Sequence, residues 1–267
     1  MENSYRAEHG PNLFWWGAGL LSVPLVLLIV MPLGNMLSQP EIVDLVAALK
    51  DEAVQDALAR SISTSLMATS VAAVFATPLA YMLARKNFKG KKIIEGLVDL
   101  PIMIPHPVIG IAILSLMGRN CWLGRLLYEM GIEVMGSITG IVIVLTFVGA
   151  PFYINSVKAG FEAVPERLEK ASRGLGASMS ATFFRISLPL VWRNMVLGAV
   201  MCTARAISEF GAVVIVAYHP MTAPVLIYER FTAYGLRYAQ AVAFWLIIIS
   251  LFLFLLMRMF SRQKGVV

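Results

Sequence analysis

The sequence of 267 residues is poor in charge and in cysteine. Asp, Glu, Lys and Arg together make up 14% of it, against 58% hydrophobic residues, and its mean hydropathy is strongly positive. A soluble domain of this length needs far fewer apolar residues, so the composition indicates an integral membrane protein. Its two cysteines, Cys121 and Cys202, are far apart in the chain and match neither a metal-binding nor a redox spacing.

Motifs for catalysis and nucleotide binding are also missing. The chain has no Gly-x-x-x-x-Gly-Lys-Ser/Thr loop, so we expect that it does not bind ATP through such a loop itself. It has no His-Glu-x-x-His run and no cysteine pair, which argues against an intramembrane metalloprotease or redox enzyme and predicts no metal site. The net charge of +6 comes from basic residues beside apolar segments, so membrane topology explains it better than nucleic-acid binding does.

Six largely apolar stretches are each long enough to cross a bilayer as a helix, which takes roughly 20 residues. They predict an all-α integral membrane protein with a single domain, 1–267, and spans at about residues 13–37, 61–84, 93–118, 134–160, 194–217 and 238–257. The polar segment 40–60 is predicted to be a surface helix outside the membrane. Segments 119–133 and 219–237 are predicted to be outer loops.

Basic residues mark one side of the membrane. The densest cluster lies between the second and third spans and consists of Arg85, Lys86, Lys89, Lys91 and Lys92. The loops assigned to this side carry well over half of the lysines and arginines, including Arg262 and Lys264 after the last span. By the positive-inside rule, these loops and both chain termini are expected in the cytoplasm.

The third span is interrupted by Pro101, Pro105 and Pro107. A helix with three prolines cannot form all of its backbone hydrogen bonds, so this span is expected to face protein or a water-filled cavity. His106 lies between two of these prolines without an acidic or cysteine neighbour in sequence. A pore-lining or structural role is therefore favoured over a proton relay or a metal ligand.

The fifth span contains two charged residues, Arg205 and Glu209. A charge in mid-membrane costs about 3 kcal/mol on insertion scales. Their spacing of four residues puts them on one helical face, so they can neutralise each other. A second interpretation is that Arg205 gives positive potential to an anion pathway while Glu209 holds the arginine and limits how tightly an anion binds.

The segment 161–190 is polar, basic and rich in small residues. A first short helix is predicted from the helical spacing of Leu168 and Leu175, with Gly176 suited to a helix stop. A second short helix, 180–186, is predicted to end because of Pro189. Such a helix–turn–helix unit at a membrane face suits a cleft in another protein, and an ordinary amphipathic interfacial helix is the alternative.

This segment resembles the EAA coupling loop of ABC importer permeases. The matching residues are Glu169, Ala171, Ser172, Leu175, Gly176, Ala177, Leu188 and Pro189. The first alanine of the family pattern is Lys170 in this chain. The resemblance implies that the helix docks into a separate ATP-binding subunit and transmits its movements.

Three other stretches narrow the resemblance to permeases for oxyanions. Residues 99–110 look like the third-helix pattern of molybdate and sulfate permeases, and residues 205–212 look like their fifth-helix pattern. Residues 220–230 are similar to archaeal-type molybdate/tungstate permeases. The first and last spans match in hydropathy alone.

The resemblance implies a fold and an assembly. The fold is that of type I ABC importer permeases, with six transmembrane helices and a cytoplasmic coupling helix. The assembly is a homodimer in a prokaryotic plasma or inner membrane, with two ATPase subunits that bind ATP and Mg and an external oxyanion-binding protein. The chain itself is expected to bind no cofactor and no nucleic acid.

Import of molybdate or tungstate by alternating access is therefore the expected function. The candidate pathway or gate residues are Pro105, His106, Arg205, Glu209, Phe210 and Gly211. A sulfate permease is the main alternative within the family, because the three anions share charge and shape. Outside it, an ATP-independent channel or secondary transporter, or a membrane enzyme built on Glu95, Asp99 and His106, remains open.

Overall fold

A computed structural model describes residues 13–261 of the chain. Arg262, Lys264 and both chain termini, which the sequence predicts to be cytoplasmic, lie outside the described residues. The described part is helical and contains no strand. In chain order its helices are α1 (Leu13–Ser38), α2 (Ile42–Lys50), α3 (Glu52–Arg85), α4 (Lys91–Met103), α5 (His106–Met117), α6 (Trp122–Glu129), α7 (Ile138–Ala163), α8 (Glu166–Gly174), α9 (Met179–Leu190), α10 (Trp192–Ile207), α11 (Val213–Val216), α12 (Ala223–Tyr234) and α13 (Leu236–Ser261).

Four of these helices, α1, α3, α7 and α13, are long and apolar enough to cross a membrane by themselves. Two further spans arise if the bent pairs α4–α5 and α9–α10 each count as one, which gives up to six within the described residues. The fold is thus that of an all-α membrane protein, as the hydropathy predicts.

The helix that contains the predicted second span begins earlier than that span. Residues 40–60, predicted to be one surface helix, are divided at Asp51, whose carboxylate accepts a hydrogen bond of 2.9 Å from the Ala53 N–H and caps α3. From there α3 runs without a break to Arg85. At 1.5 Å per residue it is about 51 Å long, which exceeds the apolar thickness of a bilayer.

The two segments predicted to be outer loops each contain a helix, α6 and α12. Pro224 lies in the first turn of α12, where its missing N–H costs no hydrogen bond. Both helices are short and follow turn-forming residues, so hydropathy alone does not predict them.

The third span is two helices rather than one. Helix α4 ends at Met103, and α5 leaves the break at an angle of 115° to it. The break falls at Ile104 and Pro105, in the middle of the three prolines. The prolines therefore break the span, and the chain changes direction there.

The fifth span is also discontinuous. Helix α10 ends at Ile207, residues 208–212 are not regular helix, and α11 follows as a single turn. Before α10, the predicted short helix 180–186 is longer and continues past Pro189 to Leu190, where the chain bends by 68°. A π-helical stretch, Phe183–Ser187, ends just before Pro189, so this proline falls where the regular hydrogen-bond ladder is already interrupted.

Helix α7 occupies the centre of the packing and contacts α3 along its length. The facing side of α3 carries a stripe of small residues at intervals of four: Ala68, Ala72, Ala76 and Ala80, all 5% exposed or less. Small side chains let two membrane helices approach closely, and dispersion then stabilises the contact. Helix α1, by contrast, buries almost none of its surface within the chain.

A larger side chain in this stripe is expected to destabilise the fold. Ala76→Leu adds volume to a fully packed contact, which costs roughly 1–3 kcal/mol, and its midpoint of thermal unfolding in detergent should fall. Ala59→Leu adds the same group to an exposed position of α3 and should leave the midpoint unchanged. Equal midpoints for the two variants would contradict this packing.

Candidate functional site: a charged cluster and a coupling segment

The two helix breaks meet at a cluster of three polar side chains, an imidazole, a guanidinium and a carboxylate. His106 begins α5, Arg205 lies in the last turn of α10, and Glu209 lies in the irregular segment that follows. The Arg205 Nη2 atom is 2.7 Å from Glu209 Oε2 and 2.7 Å from His106 Nε2. His106 Nδ1 is 3.3 Å from the same Glu209 oxygen. The structure thus brings together two motifs 99 residues apart in the chain.

These three side chains differ in accessibility. The Glu209 side chain is 1% exposed, whereas those of Arg205 and His106 are 21% and 38% exposed. The second Glu209 oxygen accepts a hydrogen bond of 2.9 Å from the Ala212 N–H, which satisfies a backbone group left free by the helix break. The carboxylate is therefore buried within the structure, whereas the Arg205 and His106 side chains are partly exposed.

The imidazole lies close to the guanidinium through both of its nitrogens. Arg205 Nη2 is 2.7 Å from His106 Nε2 and 3.1 Å from His106 Nδ1. A guanidinium N–H can only donate, so a neutral His106 accepts from Arg205 through the ring nitrogen that carries no proton. Arg205 thereby joins His106 to Glu209.

The other candidate pathway residues surround this network. Pro105 is exposed at the break before α5, and Phe210 packs against Tyr228 of α12, with ring centroids 5.1 Å apart. Gly211 permits the close approach of the two breaks, because a Cβ atom there would lie 2.9 Å from His106 Cβ. All six candidate residues therefore lie at or beside the two breaks.

The candidate coupling segment, residues 161–190, has the helix–turn–helix form that its sequence predicts. Gly176 has a φ of +91°, and the Gly176 and Ala177 N–H groups donate to the carbonyls of Arg173 and Ser172 at 3.0 and 3.2 Å. This pair of bonds is a Schellman ending of α8, and the positive φ explains why glycine occupies this position. The Ser172 and Thr182 hydroxyl oxygens, 3.1 Å apart, join α8 to α9.

The turn between α8 and α9 carries an unusually exposed apolar side chain. Leu175 is 91% exposed, more than any other large hydrophobic side chain among the described residues. Ala171 and Gly176 beside it are exposed too, whereas Ala177 and Leu188 are half-buried and Pro189 is exposed. The segment thus presents an exposed apolar side chain at its turn.

Glu169, by contrast, points inward. Its Oε1 atom accepts hydrogen bonds of 2.9 Å from Arg85 Nε and from the Ser187 hydroxyl, and Oε2 accepts one of 3.1 Å from the Tyr81 hydroxyl. Neither Tyr81 nor Ser187 is singled out by the sequence, because contacts across 88 and 18 residues leave no local pattern. The carboxylate of the coupling motif is thus occupied within the chain.

The exposed face of α8 is held by a local ion pair. Lys170, which replaces an alanine of the family pattern, lies 3.0 Å from Glu166 one turn earlier. The hydrogen bond from the Lys170 ammonium lowers the pKa of the Glu166 carboxyl from its ordinary value. The substitution therefore adds an exposed i,i+4 pair and leaves the helix intact.

The carboxylates suggested for a membrane enzyme do not join His106 in one cluster. Asp99 accepts a hydrogen bond of 2.7 Å from the Asn155 side chain, and Glu95 pairs with Lys158, both on α7. Within residues 13–261, no three His, Cys, Asp or Glu side chains come together in a way that could hold a metal ion. These contacts assign Asp99 and Glu95 to the packing of α4 on α7.

Residues 76–265 match the model of a protein family described as binding-protein-dependent transport system inner membrane component. The chain belongs to this family. It is the permease subunit of an ABC transporter, a type of subunit that is not itself catalytic. The match includes the coupling segment and both helix breaks.

The chain is similar to individual members of this permease family. The molybdate/tungstate transport system permease protein WtpB of Methanocaldococcus jannaschii is 43% identical over 91% of this chain and 95% of the relative. A probable sulfate transport system permease protein of Chlorokybus atmophyticus is 35% identical over 73% of this chain and 69% of the relative.

Solved structures of transporters share the fold. A chain in the crystal structure of a bacterial alginate ABC transporter, in complex with an alginate pentasaccharide-bound periplasmic protein, aligns with a TM-score of 0.73. The alignment covers 93% of this chain and 94% of that chain at 17% identity. The chain therefore shares its fold with a subunit of this transporter.

The contacts in the charged cluster predict that Arg205 and Glu209 stabilise the fold as a pair. Arg205→Ala leaves a buried carboxylate without its cation and should lower stability by about 3–5 kcal/mol. Adding Glu209→Gln removes that charge but keeps an acceptor for the Ala212 N–H, so the double variant should unfold at a higher temperature than Arg205→Ala alone. Thermal unfolding in detergent measures both, and a double variant no more stable than the single one would contradict the pairing.

Proposed function

We propose that this permease imports molybdate or tungstate into a prokaryotic cell. The observation that carries the proposal is the 43% identity to a permease named for molybdate and tungstate, over nearly the whole length of both chains. The charged cluster is consistent with an anionic cargo. Arg205 and His106 are accessible while the Glu209 carboxylate is buried, so an approaching anion meets the nitrogen groups first.

The transported anion needs only weak contacts in the pathway. Glu209 neutralises Arg205, which keeps the site from trapping a dianion tightly. We therefore assign Pro105, His106, Arg205, Glu209, Phe210 and Gly211 to the pathway or its gate. Specificity then resides chiefly in an external oxyanion-binding protein that delivers the cargo.

The working unit is a homodimer with two ATPase subunits at the cytoplasmic face. Leu175 and the turn around Gly176 dock into a cleft of each ATPase, which supplies the ATP and Mg sites. This docking is supported by the exposure of Leu175. By the positive-inside rule the basic loop with Lys86 and Lys89 is also cytoplasmic, and six spans then put both chain termini in the cytoplasm.

Transport proceeds by alternating access. ATP-driven closure of the two ATPases brings the two coupling segments together and opens the pathway outward, where the binding protein releases the anion. Release of ADP and phosphate returns the dimer to the inward-facing state, and the anion leaves to the cytoplasm. The chain contributes binding contacts and movement to this cycle, and the ATPase contributes the chemistry.

Sulfate import is the second candidate. The relative named for sulfate supports it, at 35% identity and lower coverage than the molybdate/tungstate relative. Stimulation of ATP hydrolysis in the reconstituted complex separates the candidates. Molybdate or tungstate, delivered by the cognate binding protein, should stimulate hydrolysis at concentrations where sulfate does not, and the reverse order would favour the sulfate permease.

The docking of the coupling segment is tested by Gly176→Arg. A Cβ atom at Gly176 has open space around it, so the arginine side chain projects from the surface and should block the ATPase cleft. Gly176→Ala introduces the same positive-φ strain, roughly 1 kcal/mol, without the bulk. The ATPase should co-purify with wild type and Gly176→Ala and be lost with Gly176→Arg.

Equal recovery of the ATPase with Gly176→Arg would contradict the docking assignment. A wild-type chain that purifies without any ATPase and still moves ions in liposomes would instead favour the channel or secondary transporter.

A further inference from the structure

Glu169 of the coupling motif points inward and connects α8 to the membrane helices. Its side chain is 12% exposed, and that of its partner Arg85 is 9% exposed, so the ion pair between them is largely shielded from water. Arg85 also donates a hydrogen bond of 3.0 Å to the Val164 carbonyl at the end of α7. Glu169 thus joins α8 to the last turn of α3 and leaves the exposed side of α8 free for a partner.

Two other contacts strengthen the same junction. The Tyr81 hydroxyl on α3 and the Ser187 hydroxyl in the π-helical stretch both donate to the Glu169 carboxylate. The Tyr81 ring packs edge-on against Phe161 of α7 and Phe183 of α9, with centroids 5.0 and 4.9 Å away. One carboxylate therefore accepts hydrogen bonds from α3 and α9, and hydrogen bonds to an ionised acceptor are stronger than those between neutral groups.

The opposite end of α3 is fastened in a similar way. Arg60 donates a hydrogen bond of 2.6 Å to the Met221 carbonyl, and the Ala223 N–H donates one of 2.8 Å to the buried Ser61 hydroxyl. Both contacts hold the start of α12, whose Tyr228 packs on Phe210 beside the charged cluster. The far end of α3 is thereby linked to the candidate gate.

Between its ends, α3 is a continuous helix packed on α7. Pro78 has no N–H and so interrupts one backbone hydrogen bond of α3. The Thr77 hydroxyl stabilises the helix at this turn, because it donates to the Ala73 carbonyl at 2.6 Å and lies 3.0 Å from the Tyr153 hydroxyl of α7. A braced helix fixed at both ends is suited to move as one body when one end is displaced.

We propose that α3 carries the displacement of the coupling helix to the gate, with Glu169 as the positioning residue at the coupling end and Arg60 as its counterpart at the far end. Glu169 acts through Arg85, Tyr81 and Ser187 and does not contact the ATPase. The proposal rests on the function proposed above, because the ATPase supplies the displacement.

The junction itself is tested on the purified permease alone by hydrogen exchange. Glu169→Gln removes the charge that receives three donors, so the backbone amides of α8 should exchange roughly tenfold faster or more, as expected for losing charge-assisted hydrogen bonds. Arg85→Gln should have the same effect. The matched control is Glu95→Gln, which removes an ion pair between α4 and α7 at the same end of the molecule and should leave α8 unchanged.

The transmission is tested in the complete complex in proteoliposomes, with the number of ATP molecules hydrolysed per anion imported as the readout. Glu169→Gln should raise this ratio severalfold while the ATPase still co-purifies. Arg60→Gln should raise the same ratio without changing exchange in α8, because its contact lies at the far end of α3. Glu95→Gln should leave the ratio at the wild-type value.

Unchanged hydrogen exchange of the α8 backbone amides in Glu169→Gln would overturn the proposed role of Glu169 in joining α8 to α3. Faster exchange of α8 in Glu169→Gln, combined with an unchanged ratio of ATP hydrolysed to anion imported in both Glu169→Gln and Arg60→Gln, would overturn transmission through α3. Loss of ATPase binding in Glu169→Gln would show that this carboxylate contacts the partner and would overturn its positioning role. An ATPase that fails to co-purify even with wild type would overturn the proposed function, and the exchange result would still decide the junction.

Discussion

A buried carboxylate shared between a guanidinium and a backbone amide holds the centre of this permease together. Glu209 binds Arg205 through one oxygen and the Ala212 N–H through the other. In a bilayer neither a free charge nor a free N–H finds water, so a helix break survives only where protein groups satisfy both. This contact therefore allows α10 to end in the middle of the fold. The break in turn lets His106 of α5 reach the same cluster.

The breaks depend on the regular helices around them. The small-residue face of α3 lies against α7, and the two helices are in close contact along their length. At the coupling end the Glu169 network fastens the surface helix α8 to α3 and α9. At the far end the contacts of Arg60 and Ser61 fasten α12.

Local sequence features predicted much of the candidate site. The glycine stop of α8 was predictable because a positive φ restricts the residue type at Gly176, and the interruption of the third span followed from its prolines. Arg205 and Glu209 were predicted to pair because they lie four residues apart. The extension of α3 to Glu52 was missed, since a polar capping residue, Asp51, resembles any other residue of a surface segment. The helix through Pro189 was missed because a π-helical stretch has no simple sequence signal.

The sequence by itself determined that this protein crosses a membrane, where its charges are concentrated and which family it belongs to, because hydropathy, charge and motif spacing are properties of the local chain. The tertiary structure decided which of these features act together. It placed His106 against Arg205 across 99 residues and turned Glu169 toward Arg85 across 84. Both contacts depend on the directions that helices take after a break, and those directions are set by long-range packing, which no local pattern encodes.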